Sequence, residues 1–217
     1  MKTRILVGMY LLVVLVACNK ESNVTNPVIE EPTYYPLTTG SYWIYNTYKI
    51  DSLKNEELIS ENDTTAIIGD TIINGHQYKV FYGKRYGHME IKTEKYLRDS
   101  LGYIVNSNGK IVFCQTNFTD TMYSVAIPNS LDTLYYEFTE MQSVVEEIIL
   151  PSGAFDSIIN NQLKFVFWKV PNKPTFDLDN LYAPNVGKII SQYGYAGALL
   201  DQKSYYEHRL IDYFIAD

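Results

Sequence analysis

From Tyr34 to Asp217 no stretch of this chain repeats apolar residues every 3.6 positions over three turns, which removes helical scaffolds from consideration. The chain shows instead short runs of aromatic and β-branched residues, broken by turn residues every dozen or so positions. The run 41–50, SYWIYNTYKI, sets Tyr42, Ile44, Tyr48 and Ile50 on one face of a strand and Trp43 and Tyr45 on the other. Residues 64–82 read as two or three strands turning at Asn74-Gly75, a pair that tolerates positive φ at both positions. A second hairpin, 103–113, turns around Asn108-Gly109, and further strands are expected at 143–150, 162–170, 187–193 and 204–215. Pro151-Ser152-Gly153 supplies the turn after the first of these. Leu163, Phe165 and Phe167 alternate with Lys164, Val166 and Trp168, so this strand is apolar on both faces and belongs in the middle of a sheet. The one weak helical signal is a single turn at 55–60, NEELIS.

Short strands joined by turns must curl or stack to bury an apolar face. The expected fold is a single mostly antiparallel β domain over 34–217, a strongly curved sheet or open barrel, with a two-sheet β-sandwich as the alternative. A load of 20 Tyr suits such a sheet. The pairs Tyr34-Tyr35, Tyr135-Tyr136 and Tyr205-Tyr206 either fill its core with hydroxyls reaching the edge or stack on sugar from the surface.

The first twenty residues have a different character. Lys2 and Arg4 precede an apolar run, Ile5 to Ala17, of signal-peptide length and too short to span a bilayer. Leu15-Val16-Ala17-Cys18 resembles the lipobox of bacterial lipoproteins. That resemblance implies cleavage of residues 1–17 and acylation of Cys18, with the alternative of a plain secretory signal that contains a cysteine. Two or three acyl chains hold a protein on a membrane where one does so only marginally. Residues 18–33 then form a lipidated N-terminus and a polar, Pro-containing tether without period. Lys20-Glu21 resembles sorting signals of surface lipoproteins. An acylated Cys18 leaves Cys114 without a disulfide partner, and its apolar run 110–114 makes it a small buried hydrophobe.

Tyr35-Pro36-Leu37-Thr38-Thr39-Gly40-Ser41-Tyr42-Trp43-Ile44-Tyr45 resembles the opening of a set of uncharacterised envelope lipoproteins of Bacteroidota-type bacteria, with a Y-P-L-x-x-G-x-x-W-x-Y pattern. Segments 69–80, 96–105, 150–158 and 182–193 resemble that family's later segments in the same order. The resemblance implies an outer-membrane lipid anchor and no defined activity. Seven of the twelve Asp residues are followed by Ser or Thr and then a small or aliphatic residue or Thr. The hydroxyl residues are Ser52, Thr64, Thr71, Ser100, Thr121, Thr133 and Ser157. This pattern resembles the acceptor for general O-glycosylation of exported proteins in such bacteria, where a sugar would enlarge exposed turns. The competing explanation is that Asp-Ser/Thr marks strand ends, where both side chains bond nearby backbone.

Motifs of chemistry are sparse. His76, His88 and His208 lack metal-ligand spacing and read as strand or turn residues. There is no Gly-x-Ser-x-Gly elbow. The 177–180 run, Asp-Leu-Asp-Asn, lacks the Gly and terminal Glu of a calcium loop and reads as a solvated loop. Neighbouring acids Glu56-Glu57 and Glu146-Glu147 would point to opposite faces of a strand and form no catalytic dyad by themselves. Without residues 1–17 the chain has 16 basic against 25 acidic side chains, or −9, which disfavours nucleic acid as a partner. The expectation is a cofactor-free, lipid-anchored envelope protein that binds a glycan, an apolar ligand or another envelope protein. The alternatives are a hydrolase-like envelope enzyme whose residues meet only in three dimensions, and a purely structural surface lipoprotein.

Overall fold

A computed structural model describes residues 31–85, 88–128, 133–144, 146–167, 176–194 and 204–217. The signal sequence, Cys18 and most of the tether lie outside the described residues, as does Trp168. Residues 32–217 form one compact unit.

Six strands run as a meander: β1 (Tyr42–Ile50), β2 (Glu56–Ile73), β3 (His76–Arg85), β4 (His88–Ser100), β5 (Tyr103–Asn106) and β6 (Ile111–Cys114). The chain continues through β7 (Thr121–Pro128) and β8 (Thr133–Val144), then a small hairpin, β9 (Ile148–Leu150) and β10 (Gly153–Phe155). It returns to the main sheet with β11 (Ile158–Val166), β12 (Phe176–Leu178), β13 (Asn180–Ala183), β14 (Gly187–Tyr193) and β15 (Tyr205–Phe214). The order across the sheet is β6-β5-β4-β3-β2-β1-β15-β14-β13-β11-β8-β7, with β12 paired to β11. All pairings are antiparallel, and the sheet curls almost into a barrel whose open seam lies between its two end strands, β6 and β7. The expected curved sheet is therefore what forms.

Local chemistry explains where the chain turns. Asn74 (φ 50°) and Gly75 (φ 77°) both occupy the left-handed region that a two-residue hairpin requires. In the β5–β6 turn the Asn106 side chain accepts from the backbone of Asn108 and Lys110, both at 3.0 Å. β11 lies between β8 and β13, the central position its two apolar faces require. Several expectations need correction. Residues 56–60 are the start of β2, where Glu56 is clamped by Arg209, and no helical turn forms. The expected strand 143–150 is split between the end of β8 and β9, with exposed Glu146 and Glu147 at the break. Asp177 and Leu178 belong to β12, with Leu178 only 1% exposed, so 177–180 is not a solvated loop.

The inner face carries large side chains: Trp43, Tyr45, Phe81, Leu97, Phe113 and Tyr182 are all buried in one core cluster. Each contributes about 1.5–3 kcal/mol by leaving water. The segment preceding β1 fills one part of this interior. Thr33 and Asn185 exchange hydrogen bonds of 2.7 and 3.1 Å, and the Tyr35 ring sits 5.5 Å from Phe113 and 5.6 Å from Tyr182. Trp43 Nε1 donates to the Val186 carbonyl at 2.6 Å. Gly187 makes this convergence possible. Its φ is +95°, and a Cβ there would stand 3.2 Å from Pro36 Cδ and 3.4 Å from Trp43 Nε1.

Gly187→Ala is accordingly expected to destabilise the fold by about 1–3 kcal/mol through backbone strain. The check is the urea midpoint, with Gly75→Ala, which has open space around its Cβ, separating strain from crowding.

Candidate functional site

Curling a sheet of this many strands leaves more room than its side chains fill. Two cavities adjoin inside it. The larger, about 230 Å³, is bounded by β4, β6, β8, β11, β13 and β14, and the smaller, about 70 Å³, lies toward Trp43, Tyr45 and Phe81. Tyr35, Lys95, Leu97, Tyr182 and Lys188 line both.

Three lysines stand on these walls. Lys95, Lys110 and Lys188 line the larger cavity together with Glu137. Lys188 is reached from inside the cavity and is otherwise packed round by protein, and this desolvation lowers its pKa to about 8. Its ammonium donates to Asn180 Oδ1 at 3.3 Å and lies 5.3 Å from the Tyr182 ring centre. Burial also lowers the pKa of Lys110, opposed by the nearby Glu137 charge. Lys110 Nζ stands 3.2 Å over the Tyr123 ring and so ties the β6 side of the seam to β7. A second tie comes from β11, where Asn161 Nδ2 donates to the Val112 carbonyl on β6 at 2.7 Å. Lys95, by contrast, is exposed.

A polar layer is built into the strands beside the cavities. Asp63 accepts from Thr47 Oγ1 at 2.7 Å and Ser60 Oγ at 2.8 Å. His208, paired in register with both Thr47 and Ser191, shares a 3.0 Å hydrogen bond between its Nε2 and the Tyr193 hydroxyl. On the outside, Arg209 bonds Glu56 and Glu207, and Glu207 accepts from Gln192. The Arg209 guanidinium holds the Glu56 carboxyl below its ordinary pKa.

The residues singled out in the sequence fall elsewhere. Cys114 is fully buried and free, with Sγ 3.5 Å from Thr116 Oγ1. His76 is exposed at the start of β3, and the His88 side chain lies outside the described ones. Asp179 accepts from Asn160 and Gln162 at 2.7 and 3.0 Å, a structural link between β11 and the junction of β12 with β13. Among the described residues no group of three His, Cys, Asp or Glu is arranged to hold a metal ion. Ser52, Thr64, Thr121 and Ser157 are exposed, Thr71 and Ser100 are half-buried, and Thr133 starts β8 with its side chain outside the described ones. Several of the paired Asp residues do cap turns: Asp51 accepts from the Leu53 and Asn55 backbone, and Asp99 from Gly102. The three cavity lysines had no motif to announce them. The available signal was Gly109-Lys110-Ile111 and Gly187-Lys188-Ile189, a lysine set between a turn glycine and an apolar strand.

No family model matches this chain, and no curated protein matches it. Two solved structures are similar to it at low scores. One is a candidate lipoprotein from Parabacteroides distasonis, with a TM-score of 0.46 and 13% identity over 85% of this chain and 100% of that one. The other is a candidate exported protein with a YmcC-like fold from Bacteroides fragilis, with a TM-score of 0.42 and 12% identity over the same shares.

A lysine with a depressed pKa costs stability wherever the folded chain must carry the charge. Between about pH 8 and 10.5 the unfolded chain holds the Lys188 proton and the folded chain releases it, so stability rises with pH across that window. Lys188→Met is expected to raise the unfolding free energy at pH 7 by at most on the order of 3 kcal/mol, read as a higher urea midpoint, and to flatten the rise. Denaturation of both proteins from pH 7 to 10 tests this; an unchanged midpoint in the variant would show that burial of the charge costs nothing.

Proposed function

We propose that this protein is a lipid-anchored binding module of the bacterial cell envelope, held at the outer membrane through Cys18 and using the interior of its barrel as the ligand site. The observation that carries the binding role is the pair of adjoining cavities walled by Tyr35, Trp43, Tyr45 and Tyr182 and edged by lysines. A concave site with large aromatic walls and a few placed polar groups is the usual form of a small-ligand site. The anchoring role is supported by Leu15-Val16-Ala17-Cys18 and the apolar run before it. Sugars on the Asp-Ser/Thr sites would solubilise the outer surface without obstructing the interior; Ser52, Thr64, Thr121 and Ser157 are accessible for this.

Mass spectrometry of the protein extracted from native membranes is expected to find Cys18 as an acylated N-terminus and glycan mass on peptides carrying Ser52, Thr64, Thr121 or Ser157. Cys18→Ala is expected to move the protein out of the washed membrane fraction. Retention equal to wild type would end the anchoring assignment, and unmodified peptides at all seven sites would leave turn capping as the explanation of the Asp-Ser/Thr pattern.

A further inference from the structure

Two neighbouring hairpins of the meander turn on a pair of residues in the left-handed region: Asn74 (φ 50°) and Gly75 (φ 77°) between β2 and β3, Leu101 (φ 58°) and Gly102 (φ 85°) between β4 and β5. Asparagine takes that conformation readily, whereas leucine is strained in it. Leu101 is also 96% exposed, so neither the turn nor the core accounts for a leucine at this tip. Because neighbouring strands are antiparallel, the connections alternate between the two ends of the barrel. One end gathers the entry to β1, the β2–β3, β4–β5, β6–β7 and β13–β14 connections, the β9–β10 hairpin and the C-terminus. Ile72, Phe118, Ile149 and Phe214 are exposed there along with Leu101.

We infer that this end of the barrel rests on the lipid bilayer, with Leu101 and its apolar neighbours entering the headgroup region. The inference rests on the lipid anchor proposed above and goes beyond it, since an anchor alone leaves the body free to turn any side to the membrane. The occupant follows from where the chain enters the barrel. Thr33 exchanges hydrogen bonds with Asn185 in the β13–β14 turn, at this same end. Residues 19–32 are all that separate it from Cys18, at most about 50 Å of fully extended chain. An apolar face held at a bilayer surface sinks about 5–10 Å into the boundary of headgroups and acyl chains. Charge selects the kind of lipid. The connections at this end contain no Lys or Arg, and Asp120, Glu146, Glu147, Asp156 and Asp217 are exposed in them. A zwitterionic surface accepts such a rim and an anionic one repels it. Ile72 and Leu101 each follow an Asp-Ser/Thr pair, but Phe118, Ile149 and Phe214 do not, so that pattern does not account for the group.

The lipoprotein reconstituted into phosphatidylcholine vesicles tests this, with an environment-sensitive fluorophore on Leu101→Cys or, at the opposite end, on Leu53→Cys, where Leu53 is 80% exposed in the β1–β2 turn. Cys114 is fully buried and does not compete for the label. Flotation with the vesicles reads the anchor separately. In floated protein the label at 101 is expected to shift to the blue and to lose most of its emission to quenchers on the acyl chains, while the label at 53 stays as in water. Phosphatidylglycerol in the vesicles should weaken both effects at 101. Without the anchor, in Cys18→Ala, Leu101→Asn is expected to lower partition into phosphatidylcholine about tenfold or more. The same substitution should leave the urea midpoint equal or higher, because asparagine suits the turn. A label at 101 that reports water on floated protein, or equal quenching at 53 and 101, would overturn the bilayer-facing end and leave the anchor standing. Loss of glycan from the Ser100 peptide in Leu101→Asn, with the label at 101 still in water, would assign Leu101 to the modification site instead. A protein that fails to float would end the anchor and, with it, this orientation.

Discussion

The structure depends on one geometric constraint: a long antiparallel sheet that curls on itself encloses more space than the side chains on its inner face can occupy. The chain meets this partly with bulk, through Trp43, Phe81, Phe113 and Tyr182, and partly by folding the segment before β1 inward so that Tyr35 stacks among them. Two adjoining cavities are what is left. Their walls follow from the period of a strand. Thr139 and Glu137, Asn161 and Leu163, and Asn180 and Tyr182 are each two residues apart, so each pair faces the same side.

The seam imposes a second requirement. β6 and β7 end the sheet without pairing to each other, and a bare strand edge invites foreign strands. Lys110 over Tyr123 and Asn161 against the Val112 carbonyl bridge the gap with side chains instead of a backbone ladder. The same two residues belong to the cavity wall, so the groups that hold the seam also set the polarity of the interior. Lys188 shows the tension in that arrangement: its desolvated charge opposes folding, and side chains that oppose folding concentrate where a protein binds or reacts.

The strands most legible in the sequence were those with a strong local signal. β1 stood out through its aromatics, β2 and β3 through Asn74-Gly75, and β14 and β15 through apolar runs. β4, β7 and β8 went unread because their alternation is diluted by charged and hydroxyl residues. In β4 the inward positions include Thr93 and Lys95, which look like surface residues in a sequence and line a cavity in the fold. The site was illegible for the same reason. Lys95, Asn161 and Lys188 come from three strands and Lys110 from the turn before β6; they share no spacing, so only the register of the sheet brings them together. Glu56 likewise finds Arg209 across more than 150 residues of chain, which local propensity at 55–60 could not anticipate.

The pairing of β1 with β15 orders events during biosynthesis. One meander is complete by Cys114, yet its free β1 edge waits for a strand some ninety residues later, and the interior stays wet until that strand arrives. Contacts so distant along the chain form slowly. The half-built sheet is therefore most open to misassembly in the interval between the appearance of Cys114 and that of Tyr205.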